Sequence, residues 1–125
     1  MGGTAEGPTA DQLVKELFQV WENGLNHLRS LALPGLSTVG GAWDPGTPDV
    51  SASIELLLRA AVERLEGGRE AEAAAALFGL AAGTRPGTAN ERRVWAAEAY
   101  DVAYDSFRRK KPEHRVYAAV ANIIL

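Results

Sequence analysis

The chain has 125 residues, which fits one domain, and a chain of this size can bury roughly two-thirds of its unfolded surface in a core. Its apolar share of 46% and charged share of 23% are ordinary globular proportions, which confines expected disorder to the ends. The absence of cysteine excludes disulfides, thiolate metal sites and a cysteine nucleophile.

Met1 to Pro8 is glycine-rich, carries Glu6, and has neither the basic nor the apolar region of a signal peptide. No apolar run approaches the ~20 residues that span a bilayer. The chain therefore reads as cytoplasmic, with residues 1–8 a flexible N-terminus and residues 9–125 a single helical domain. The net charge is −3 but unevenly spread. Residues 1–84 carry five basic and eleven acidic side chains; residues 85–125 carry eight and five. Such asymmetry points either to a polyanionic partner for the C-terminal part or to attraction between the two halves, within one chain or between two.

Thr9, followed by Gln12, predicts a capping box that starts the first helix. Leu13, Leu17, Val20, Trp21, Leu25 and Leu28 form one apolar stripe, and the helix is expected to run until Pro34-Gly35. Residues 34–50, punctuated by Gly40, Gly41, Pro45, Gly46 and Pro48, read as a long loop. Trp43 in that loop either folds back onto the core or stands out as an anchor for a partner protein.

Ser51 is the expected cap of a second helix with the stripe Ile54, Leu57, Leu58, Ala61, Val62 and Leu65, stopped by Gly67-Gly68. An alanine-rich helix follows from about Arg69 to Phe78. Thr88 and Glu91 predict a second capping box and a helix to about Tyr100. A short helix covers about Tyr104 to Lys110, and Pro112 suits the first turn of a last helix carrying Val116, Tyr117, Val120, Ile123 and Ile124. That helix has no C-cap and ends on Ile-Ile-Leu, so either more chain follows or this end packs tightly. The expected fold is an all-α, compact bundle of five to six helices with a helix-turn-helix-like C-terminal part. Trp21, Leu25, Leu57, Leu58, Val62, Leu77, Phe78, Trp95 and Phe107 are its expected core.

The segment Arg93 to Lys111, RVWAAEAYDVAYDSFRRKK, carries the helix-turn-helix pattern. Ala96 and Ala97 supply small residues where two helices abut, Tyr100 and Val102 flank a turn, and Phe107 anchors the second helix. Arg92, Arg93, Arg108, Arg109, Lys110 and Lys111 are then candidate phosphate contacts. Against nucleic acid stand Asp101 in the turn, where glycine is usual, the further negative charge of Asp105, and Ala103 in place of a capping residue.

Residues from about Ser53 onward resemble a helical domain recurrent in multidomain signalling and defence-type proteins of high-GC bacteria. The matching motifs are Ala74-Ala75-Ala76-Leu77-Phe78-Gly79-Leu80, Gly83-Thr84-Arg85, Glu91-Arg92-Arg93, Ala96-Ala97-Glu98 and Asp105-Ser106-Phe107-Arg108-Arg109. The chain departs from that pattern at Asp101-Val102-Ala103, where the family has Gly-Val-Ser. The resemblance implies an accessory, regulatory or adaptor module beside a separate effector.

Chemistry-bearing motifs are sparse. His27 and His114 lie in different elements, and His114 has only the adjacent Glu113 near it in sequence. Val39-Gly40-Gly41 lacks the lysine and hydroxyl of a phosphate loop, and Ser37 and Ser51 lack a nucleophile-elbow setting. The expectation is a non-enzymatic protein-interaction, oligomerisation or adaptor module of a bacterial signalling or defence system. It needs no cofactor, metal, membrane or small-molecule substrate. The alternative is a helix-turn-helix nucleic-acid-binding regulator.

Overall fold

The computed structural model describes residues 9–43, 46, 49–65, 68–109 and 111–125, with the Lys111 side chain left aside. The expected flexible N-terminus, the Gly67 half of the helix stop, Lys110 and the Lys111 side chain lie outside the described residues. Seven α-helices and one 3-10 helix are found among the described residues: α1 (Ala10–Asn23), the 3-10 helix Leu25–Ser30, α2 (Pro34–Trp43), α3 (Val50–Arg64), α4 (Gly68–Leu77), α5 (Ala89–Tyr100), α6 (Tyr104–Arg109) and α7 (Lys111–Ile124). No strand occurs among them. The all-α expectation holds, and two elements were not anticipated.

The first helix is shorter than its stripe suggests. The Thr9 hydroxyl accepts the Gln12 amide N–H at 3.1 Å, while the Gln12 side chain turns to Glu16 rather than back to Thr9. Gly24, at φ +85°, ends α1 by donating to the Val20 carbonyl at 2.8 Å. The tighter 3-10 helix that follows keeps Leu25 and Leu28 buried, so the apolar pattern continues although the α-helix does not.

The second surprise is α2, which occupies Pro34–Trp43 of the expected loop. Its cap is remote in sequence. The buried carboxylate of Glu16 accepts the backbone N–H groups of Gly35 at 2.9 Å and Leu36 at 2.8 Å. A negative charge there satisfies two of the donors that every helix start leaves open and suits the positive end of the helix dipole. Pro34 sits at the first helical position, where its missing N–H costs nothing. Gly40 is buried against Ser53 of α3, where an added Cβ would lie 3.6 Å from the Ser53 backbone. Gly40, which reads as loop punctuation, thus serves as a contact point between α2 and α3, whereas a Cβ added at Gly41 would meet nothing within 4 Å.

Asp49, not Ser51, caps α3, its carboxylate accepting the Ser51 N–H at 3.0 Å. The capping box of α5 is complete, with Thr88 and Glu91 each accepting the other's backbone N–H. The alanine-rich α4 packs on α5, and Ala73, Ala74, Ala76, Ala96 and Ala97 of the two helices are all buried. The last helix, α7, lies against α1, α3, α4 and α6 and buries Val116, Tyr117, Val120 and Ala121. Phe78 and Phe107 are fully buried; Val62 and Trp95, expected inside, are half-buried at the core's edge. Ile123 and Ile124 pack on the core while Leu125 is exposed. No helix among the described residues is long and apolar enough to cross a membrane.

Candidate functional site

Trp21 organises the region where α1, α5 and α7 meet. Its carbonyl, left open at the end of α1, accepts a hydrogen bond from the guanidinium of Arg92. Arg92 is only 2% exposed and also reaches the Gly87 carbonyl at 3.4 Å; burial pulls its pKa below the ordinary arginine value. The Trp21 indole N–H donates to the Ala89 carbonyl at 3.0 Å, and the Arg93 guanidinium lies over the Trp21 ring at 3.9 Å.

Arg93 in turn meets Glu113 of α7. Its Nη2 donates to Glu113 Oε2 at 3.0 Å, and its Nε lies 2.8 Å from Oε1, with both side chains nearly buried. Burial is the largest single influence and works against the Arg93 charge, but Glu113 and Tyr104 together outweigh it and raise the arginine's pKa. The Tyr117 hydroxyl donates to Glu113 Oε2 at 2.9 Å; burial first, then the Glu113 charge, pushes the phenol well above its ordinary value.

Arg92 and Arg93 are therefore withdrawn from the surface role expected of them. The physical reason is the open carbonyl and the aromatic face of Trp21, both best met by a guanidinium. Arg108 and Arg109, by contrast, are exposed on α6.

Beside this buried cluster runs a groove of about 500 Å³ between α1, α6 and α7. Val14, Phe18 and Tyr117 supply its apolar lining. Phe18 stays 41% exposed although its ring lies 5.1 Å from Trp21 and edge-on to Tyr117 at 6.2 Å. Lys15 of α1, Arg108 of α6 and His114 of α7 also line the groove and are exposed. Arg109 and Arg115 are exposed on the same two C-terminal helices. Asp105 stands 3.8 Å from Arg108, a loose exposed pair. Glu113 reaches the groove already engaged by Arg93 and Tyr117.

Sequence reasoning found Arg108 but missed Phe18, Lys15 and Tyr117 as neighbours. The available signal was Phe18 itself, a large aromatic on α1 outside the apolar stripe and one turn from Lys15. Trp43 ends α2 at 46% exposure, beside a small cleft of about 60 Å³ lined by Leu57, Ala61, Ile123 and Ile124. It neither plugs the core nor stands clear of the protein. His27 and His114 are both exposed, and no group of three or more metal-ligating side chains occurs among the described residues.

Between α5 and α6, Asp101 takes the left-handed conformation (φ 64°, ψ 45°) that the turn requires of its residue. The Asp101 N–H donates to the Glu98 carbonyl at 3.0 Å and the Val102 N–H to the Ala97 carbonyl at 3.1 Å, closing α5. No family model, curated protein or solved structure matches this chain.

Proposed function

We propose that this chain is a protein-interaction module, an adaptor or oligomerisation unit, whose contact surface is the groove between α1, α6 and α7. The observation that carries this reading is Phe18. An aromatic ring left 41% exposed in a preformed apolar groove forgoes burial that a partner can supply. The resemblance of residues 53 onward to accessory domains of bacterial signalling and defence proteins favours the same role, carried out in the cytoplasm beside a separate effector.

The test is a photo-reactive phenylalanine analogue in place of Phe18, expressed in cells, with the same group at exposed Glu72 as control. The expected result is a discrete protein adduct, with a partner or with a second copy, specific to position 18. Equal or absent protein adducts at the two positions would overturn the reading.

A second reading is supported by the exposed Arg108 and Arg109 on a helix that follows a left-handed turn. In it the chain is a helix-turn-helix binder of nucleic acid. It rests on fewer cations than the sequence offers, because Arg92 and Arg93 are spent inside. A gel shift on duplex DNA across a salt series tests it: binding should weaken with salt and with Arg108→Ala and Arg109→Ala together. Unchanged mobility at low salt would end it.

A further inference from the structure

The chemistry of the groove specifies what occupies it, given the protein-interaction reading on which this inference rests. We infer that the groove takes an acidic segment of a partner protein, with one bulky apolar side chain seated against the exposed Phe18 ring and carboxylates flanking it.

Three observations lead there. First, charge at the rim has one dominant sign. Lys15 and Arg108 line the groove from α1 and α6, and Arg109 and Arg115 extend the basic surface. The acidic groups present do not cancel this. Glu113 is spent on Arg93 and Tyr117, and Asp105 holds Arg108 only loosely. Neither Lys15 nor Arg108 has a carboxylate closer than that among the described residues.

Second, the groove is open. Phe18 keeps 41% of its surface in water, and the cations around it are exposed. A small ligand is normally enclosed over most of its surface, which this shape does not achieve. A segment still attached to a folded partner needs only one side to dock.

Third, the floor of the groove carries an apolar strip, Val14, Phe18 and Tyr117, with Gln19 and the engaged Glu113 as its polar neighbours. Nucleic acid would meet this apolar strip with its phosphates, and the strip offers one exposed ring rather than the succession that stacks bases. An acidic segment with an apolar anchor satisfies both parts of the surface at once.

The test measures fluorescence anisotropy with four probes: a labelled glutamate-rich peptide carrying one Trp-x-x-Leu pair, its lysine-for-glutamate counterpart, its alanine-for-Trp/Leu counterpart, and a short DNA duplex. The receptors are the full chain, Phe18→Ser, and the charge reversal Lys15→Glu with Arg108→Glu. These side chains are exposed, so the fold should survive; unchanged circular dichroism checks this. If Phe18→Ser fails that check through loss of its contacts with Trp21 and Tyr117, the charge-reversed receptor alone decides.

The acidic amphipathic peptide should bind the full chain, about tenfold or more tighter than its alanine counterpart. Phe18→Ser should weaken it by about the same factor. The charge-reversed receptor should prefer the lysine peptide instead. Equal binding of acidic and lysine peptides, indifference to charge reversal, or duplex binding in place of the acidic peptide would overturn the inference. A protein adduct at position 18 together with no preference for acidic peptide would leave the interaction reading standing and remove only the charge assignment. No adduct at position 18 would remove both.

Discussion

Asp101 shows how much one backbone position can ask of a residue. The end of α5 needs a left-handed residue, and an L side chain there costs energy that glycine avoids. The aspartate pays no visible return, since none of the side-chain hydrogen bonds found among the described residues involves it. Asp101→Gly should therefore raise stability by about 0.5–1 kcal/mol, read as a higher urea midpoint with an unchanged slope. A lower midpoint would mean that the carboxylate makes a contact the turn depends on. The two arginines beside each other on α5 teach a related lesson. Arg92 and Arg93 share a charge and a neighbourhood with any surface basic cluster, yet Trp21 takes both, one through its carbonyl and one through its ring. The carbonyl lies 71 residues away in sequence, so no local pattern announces the need.

At the scale of elements, the helices with local start signals were legible and the one with a remote signal was not. The complete Thr88–Glu91 box marked α5, and periodic apolar residues marked α1, α3 and α7. The second helix, α2, looked like a loop because Gly35, Gly40 and Gly41 are poor helix formers and no capping residue precedes it. Glu16 supplies the cap from α1 instead. Glu16→Ala should remove both acceptors from buried N–H groups and destabilise the protein by about 2–3 kcal/mol. Amide hydrogen exchange should accelerate first in Pro34–Trp43, before α4 and α5 respond. Uniform acceleration across all helices, or none, would contradict a capping role. The groove was illegible for the same reason as α2: its walls come from α1 and α7, at opposite ends of the chain, and only folding brings Phe18 to Tyr117.

Over the whole molecule, pH should act from both sides. Asp49, hydrogen-bonded by Arg29, and Glu55, where Arg85 and Arg59 outweigh the cost of burial, have pKa values held below their ordinary 3.8 and 4.5. A lowered carboxylate pKa adds stability that is complete above the ordinary value and is lost as pH falls below it. Tyr117 works in the opposite sense: its raised pKa adds stability that is complete below its ordinary 10.0 and is lost as pH rises beyond it. Urea midpoints across pH should thus fall on the acid side below about pH 4.5 and on the alkaline side above about pH 10. Tyr117→Phe should flatten the alkaline limb, and Glu55→Gln should reduce the acid one. An alkaline limb unchanged by Tyr117→Phe would mean that the phenol is not buried against Glu113.

The functional reading depends on how the fold divides its arginines, with 92 and 93 locked around Trp21 and 108, 109 and 115 left exposed at the groove and beside it. Arginine-specific modification by phenylglyoxal, followed residue by residue with mass spectrometry, measures that division directly. Native protein should react quickly at Arg108, Arg109 and Arg115, while Arg92 and Arg93 should react only after denaturant unfolds the chain. Modification of Arg92 and Arg93 in the native state as fast as Arg109 would contradict the account.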